Sequence, residues 1–204
     1  MQHTALFSSA KHLIAAAVLL PACAAAFSTA ELSAQLQKPQ TVQGGFIQER
    51  YIKSLAKPMQ TGGRFALKSG QGLLWHVQKP IDLRLRVRRD GIAQWDAAAK
   101  QWRKSSQSGQ AAQVRLFMAV LGGDTAELQK QFTLETTGTP GQWRLVLTPK
   151  TPVMKQIFQN ITIQGGEFVR EVELKEKQGE RTVMRFTDPQ SGRPLSPEDQ
   201  NALQ

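Results

Sequence analysis

Gly72-Leu73-Leu74-Trp75-His76-Val77-Gln78-Lys79-Pro80, continued by Leu83-Arg84-Leu85-Arg86-Val87-Arg88-Arg89-Asp90-Gly91, is the stretch that decides the fold. In its second half Leu83, Leu85 and Val87 alternate strictly with Arg84, Arg86 and Arg88. Successive side chains of a strand point to opposite faces, so this period of two predicts a strand with one side in a core and the other in water. In the first half Leu73, Trp75 and Val77 align opposite Leu74, His76 and Gln78. Lys79-Pro80 separates the runs, and Asp90-Gly91 supplies the tight turn into a third run, Ile92 to Asp96, which carries Trp95. Strands joined by turns this short form an antiparallel meander.

The same punctuation extends upstream. Phe65 and Leu67 share a face opposite Arg64, Ala66 and Lys68, and Gly44-Gly45, Lys57-Pro58, Gly62-Gly63 and Ser69-Gly70-Gln71-Gly72 mark turns. Before the first strand, Ser28-Thr29 followed by Glu31 reads as an N-cap, and Leu32 and Leu36, four apart, predict a helix over Thr29–Gln37 that stops at Pro39. Downstream the period changes once. Val114, Phe117, Met118 and Leu121 fall on one helical stripe within residues 110–121, Gly122-Gly123 ends that helix, and Asp124 caps a short second one through Leu128. Strands then resume over 131–137, 143–148, 157–164, 168–176 and 181–187. The tail, with Pro189, Pro194 and Pro197, reads as irregular and mobile. With no internal repeat and no dividing linker, residues 27–204 form a single domain.

Residues 1–26 read as a secretory leader. Lys11 precedes an apolar run, Leu13-Ile14-Ala15-Ala16-Ala17-Val18-Leu19-Leu20, which Pro21 breaks before a small-residue tract. Such a run is too short for a ~30 Å hydrocarbon core, which needs about 20 residues. Cleavage fits after Ala24 or after Ala26. Leu20-Pro21-Ala22-Cys23 also resembles a lipobox, so acylation of Cys23 stays open. Cys23 is the chain's one cysteine, and stability after processing rests on packing rather than on disulfides. The formal charge is +10, or +9 once Lys11 has left with the leader. That balance points to anionic partners, and in an exported chain to lipid head groups or acidic proteins rather than nucleic acid.

Little in the sequence offers chemistry. His76 is the only histidine beyond the leader, whereas a zinc site wants three or four His, Cys or carboxylate ligands. No G-x-S-x-G elbow, P-loop or dinucleotide fingerprint occurs. Glu171 and Glu173 share a strand face, which a solvated face explains. The expectation is a chain that is not an enzyme and holds neither metal nor cofactor. The Arg84, Arg86 and Arg88 stripe is either a solvated face or a docking surface for an acidic partner or phospholipid head groups. The aromatic set, Phe46, Phe65, Trp75, Trp95, Phe117, Trp143 and Phe158, is either plain core or the lining of an apolar cavity.

Read in order, several segments resemble the periplasmic outer-membrane lipoprotein carrier proteins, the LolA-like family. They are Gly45-Phe46-Ile47-Gln48-Glu49-Arg50, Thr61-Gly62-Gly63-Arg64-Phe65, Leu73 to Pro80, Arg89-Asp90-Gly91 with Gln94-Trp95, and Leu145-Val146-Leu147-Thr148-Pro149-Lys150. The likeness covers about residues 32–188. It implies a mainly β (α+β) fold, an incomplete antiparallel β-barrel with helices covering its concave face. It also implies a monomeric periplasmic carrier that takes acylated lipoproteins, or another envelope lipid in a paralogue, from an inner-membrane exporter to an outer-membrane acceptor; a non-carrier envelope interaction protein is the alternative. On that reading the cavity draws on Phe46, Phe65, Leu67, Trp75, Val77, Leu83, Leu85, Val87, Trp95, Leu145 and Leu147, with Val114, Phe117, Met118 and Leu121 in the lid. Where the resemblance implies an arginine that holds the lid, this chain has Ser69.

Overall fold

A computed structural model describes residues 27–105 and 108–204, with side chains of 108–113 left aside. The leader expected over 1–26, and Cys23 with it, lies outside the described residues. The first helix, α1 (Thr29–Gln37), begins in a capping box: the Ser28 hydroxyl accepts from the Glu31 N–H, and the Glu31 carboxylate accepts from the Ser28 N–H. A meander of six strands follows, β1 (Thr41–Tyr51), β2 (Met59–Lys68), β3 (Gly72–Lys79), β4 (Leu83–Arg88), β5 (Gly91–Asp96) and β6 (Gln101–Lys104). Next come α2 (Ser108–Leu121) and α3 (Thr125–Gln129). A second meander then runs through β7 (Phe132–Thr139), β8 (Gln142–Pro149), the short α4 (Pro152–Ile157), β9 (Phe158–Gly165), β10 (Val169–Glu176) and β11 (Arg181–Ser191). The chain ends in α5 (Pro197–Leu203).

All the strands join one antiparallel sheet in the order β6-β5-β4-β3-β2-β1-β11-β10-β9-β8-β7. Each half is a run of sequence neighbours, and the seam between the halves is β1 against β11, with Phe46 opposite Phe186. β6 and β7 lie at opposite ends and do not pair, so the sheet is not closed. This is the incomplete barrel expected. Its inner face carries α1, α2 and α3, and the main core lies between them: Leu32 and Leu36 of α1, Val114, Phe117 and Leu121 of α2 and Leu128 of α3 pack on inward residues of both half-sheets.

Two local devices fix the helices. Gly123 takes φ 63° where α2 turns into α3, a left-handed position glycine adopts without a Cβ penalty. Its carbonyl accepts from Ser33 Oγ at 2.7 Å and Gln37 Nε2 at 2.9 Å, which ties α1 to that turn. In the second half-sheet the Trp143 indole packs against Gly165, where any side chain would collide with it, and Trp143 Nε1 donates to the Gly166 carbonyl at 2.7 Å.

The tail differs from expectation. Its prolines do not leave it irregular: Pro197 occupies the first turn of α5, where a missing N–H costs nothing, and the Ser196 hydroxyl caps the helix by accepting from the Asp199 N–H. β6 and α4 are also elements the sequence did not announce. No helix among the described residues is long and apolar enough to cross a membrane.

Candidate functional site

The inner face of the first half-sheet is filled solid. Trp75 lies between Phe46, at 3.9 Å between ring centroids, and Phe117 of α2 at 5.4 Å, both near-parallel. Phe65 meets Phe186 edge-on at 5.3 Å. Leu67, Val77, Leu85 and Val87 are buried in the same cluster, Leu83 packs against it half-buried, and Leu145 and Leu147 join it from the second half. The lid residues Val114, Phe117 and Leu121 are buried there too, while Met118 is half-buried at its edge. Trp95 is placed elsewhere. Val87 pairs with Ile92, so Ile92 takes the inward position and Trp95 faces out, edge-on to Trp102 at 5.4 Å.

The open space lies beside this packed region, between α2, α3 and the second half-sheet. A cavity of about 750 Å³ is bounded by Leu116, Leu128, Phe132, Met154, Phe158 and Leu174. That volume falls within the roughly 300–1,000 Å³ typical of small-molecule sites. Of the aromatic set singled out from the sequence Phe158 borders it, whereas none of the eleven candidate cavity residues and four candidate lid residues does. Its walls come from α2, α3, α4, the starts of β7, β9 and β11 and the ends of β1 and β10, too scattered along the chain for one periodicity to mark them. A signal did exist in Met154, Ile157 and Phe158, an apolar group just after Pro152 that makes no sense as a turn. Ile157 sits at the rim with 42% of its surface exposed.

The mouth of this cavity is charged. Arg50 of β1 donates to Glu180 at 2.8 Å and lies 3.8 Å from Glu176. The hydrogen bond to Glu180 holds the Arg50 guanidinium proton more tightly than usual. Arg115 of α2 and Glu127 of α3 line the same opening. A chamber with apolar walls and a polar rim can take an aliphatic chain and leave its polar end at the surface.

The outer face of β2 to β5 is covered by α5 rather than left wet. Leu195 and Leu203 pack on Ala66 and Leu74. Asp199 accepts two hydrogen bonds from Arg64, at 2.9 and 3.2 Å, and keeps its guanidinium protonated more firmly than usual. Of the arginine stripe, Arg84 donates to Glu198 at 2.8 Å, Arg86 donates to the Ala202 carbonyl at 3.1 Å and lies over the Trp102 ring, and Arg88 pairs with Asp90 at 3.2 Å. His76 Nε2 lies 2.6 Å from Asp82 on this face. Glu171 is engaged by Arg185, and Glu173 by Lys175 and Arg181. Among the described residues no group of three or more His, Cys, Asp or Glu side chains comes together as a metal cluster.

The family model for outer membrane lipoprotein carrier protein LolA matches residues 37–199, from the end of α1 into α5. The chain belongs to the LolA family. Among solved structures, a LolA superfamily protein from Nitrosomonas europaea aligns with a TM-score of 0.48 at 13% identity, over 83% of this chain and 94% of that one. MucB, solved also as a complex with MucA from Pseudomonas aeruginosa, aligns with a TM-score of 0.50 at 13% identity, over 86% of this chain and 62% of MucB. A lipoprotein-sorting protein domain from Vibrio parahaemolyticus aligns with a TM-score of 0.47 at 10% identity, over 87% of this chain and 97% of that one. At such identity these likenesses speak to the fold alone. No curated protein sequence matches the chain.

Proposed function

We propose that the chain is a periplasmic carrier that holds acyl chains in the 750 Å³ cavity beneath α2 and α3 and shuttles them, as parts of lipoproteins, from inner to outer membrane without catalysing a reaction. The observation that carries this is the cavity itself: a chamber on the inner side of a LolA-family sheet whose apolar walls, Leu116, Leu128, Phe132, Met154, Phe158 and Leu174, are joined by the exposed charges of Arg50, Arg115 and Glu127. Shielding an acyl chain from water is worth about 0.8 kcal/mol per buried CH₂, so burial alone supplies ample affinity. Release then needs an acceptor that binds the chain better, or a shift of the cover, and neither needs an energy source in the carrier itself. An inner-membrane donor and an outer-membrane acceptor complete the route.

One observation favours a second cargo. Ser69 stands at the hairpin between β2 and β3 where the family resemblance implies a lid-holding arginine, and its N–H is taken by the Gln40 carbonyl. Here the stacking of Phe117 on Trp75 anchors α2. A paralogue tuned to another envelope lipid fits that difference.

The test is a fluorescent fatty-acid probe titrated into the purified, delipidated chain. Saturable binding is expected, and Ile157→Asp, which sets a charge at the half-exposed rim, is expected to weaken it at least about tenfold while the fold persists. A chain that binds no probe and co-purifies with no lipid is not an acyl carrier.

A further inference from the structure

A second inner cavity lies on the other flank of the helical cover. It encloses about 650 Å³ between α2, α3 and the hairpin tips that join β2 to β3 and β4 to β5. Arg115, Ala119 and Glu127 line both this cavity and the acyl chamber, so the two are neighbours on either flank of α2 and α3. Their linings differ in kind. Four cations, Lys68, Arg88, Arg89 and Arg115, border the second cavity at or beside its hairpin tips and α2, against two acids.

Both acids are already engaged. Asp124 Oδ1 accepts from the Glu127 N–H at 3.0 Å as the N-cap of α3, and the Glu127 carboxylate is paired with Lys130. Of the cations only Arg88 has a partner of its own, Asp90; Lys68, Arg89 and Arg115 make no ion pair among the described residues. Three cations without an ion pair therefore line the recess, against one carboxylate, Asp124, that has no cationic partner among the described residues. A concave site lined by one sign of charge focuses its field into the recess and concentrates the opposite ion there.

We propose that this cavity receives an anionic head group, a phosphate or carboxylate, of the same molecule whose acyl chain fills the neighbouring chamber. The cargo is thus an anionic amphiphile. Arg115, on the shared wall, sits where head and chain join, with Lys68 and Arg89 around the charge. This assignment rests on the acyl-carrier reading above and narrows it.

Two single-chain lipids with the same acyl chain separate the head from the tail: lysophosphatidylglycerol, net negative, and lysophosphatidylcholine, zwitterionic. Each is used below its micelle concentration to displace the fluorescent fatty-acid probe. The anionic lipid is expected to compete roughly tenfold better, a difference of about 1.4 kcal/mol, and that preference is expected to shrink as salt rises. In the double variant Lys68→Gln, Arg89→Gln, both at hairpin ends, the preference is expected to vanish. An unchanged thermal melt of the variant certifies the fold.

Equal competition by the two lipids, or a preference that survives the double variant, overturns the head-group site and leaves the acyl reading standing. Failure of both lipids and the probe to bind overturns the acyl reading itself. Inorganic phosphate, titrated alone in a calorimeter, is expected to give no saturable binding. If it binds as tightly as the anionic lipid competes, the recess is a free-phosphate site, and the lipid-head assignment falls.

Discussion

At the scale of single residues, Phe117 and Glu49 have opposite kinds of leverage. Phe117 is the point where the cover meets the sheet, stacked on Trp75 with 1% of its surface exposed. Truncation to alanine opens a cavity as well as losing burial, at a cost of about 3–5 kcal/mol. Chemical denaturation of Phe117→Ala is expected to show that loss, and the acyl probe is expected to exchange faster from the loosened site. Glu49 works from the surface. Its carboxylate accepts from Arg185 at 2.7 Å and from the Tyr51 hydroxyl at 3.1 Å, and these bonds hold its proton affinity below the ordinary value of 4.5. A carboxylate with a lowered folded value favours folding above its unfolded value, and that contribution disappears as pH falls through the folded one. Glu49→Gln is therefore expected to be less stable than the unmodified chain at neutral pH. The two should converge below pH 4.5, as thermal melts across an acid series would show.

At the scale of elements, most strands and the covering helices were legible; β6, α4 and the tail were not, and Gly44-Gly45 and Gly62-Gly63, expected as turns, lie inside β1 and β2. The alternation in β4 specifies its faces, since every inward position is aliphatic and every outward one is arginine. The capping box at Ser28 and the turn at Gly123 likewise declare α1 and the end of α2 in local chemistry. α5 is legible only with hindsight. Seven residues hold few apolar side chains, and its stability comes from partners distant in sequence: Arg64, Arg84 and the Ala66–Leu74 patch. The cavity beneath α2 and α3 escaped for a similar reason. Its walls are single residues drawn from helix flanks, strand starts and strand ends, and no period links them. Asp199 concentrates what holds α5, because its side chain is 8% exposed and takes both Arg64 bonds. Asp199→Ala is expected to cost about 1–3 kcal/mol. Limited proteolysis should then cut first between Ser191 and Leu203, and an uncut tail would show that Leu195 and Leu203 suffice to hold it.

At the scale of the whole molecule, the open sheet sets a gradient of stability. β1 and β11 are paired on both sides and packed on the core, whereas β6 and β7 each leave one edge unpaired. Amide exchange is expected to be slowest in β1, β2 and β11 and fastest in β6 and β7, because edges open locally before the sheet does. Uniform protection across the strands would contradict that ranking. The seam has a further consequence for how such a chain is made. Each half-sheet assembles from sequence neighbours, but Phe46 waits for Phe186, near the other end of the chain, before its strand gains its second partner. A ribosome delivers β11 last. Until then the first half presents a long apolar border to whatever it meets, and contacts between distant segments form slowly. Synthesis of this protein thus has a vulnerable interval whose length is set by translation rate, during which a holdase, or passage through a narrow pore before folding, protects the yield.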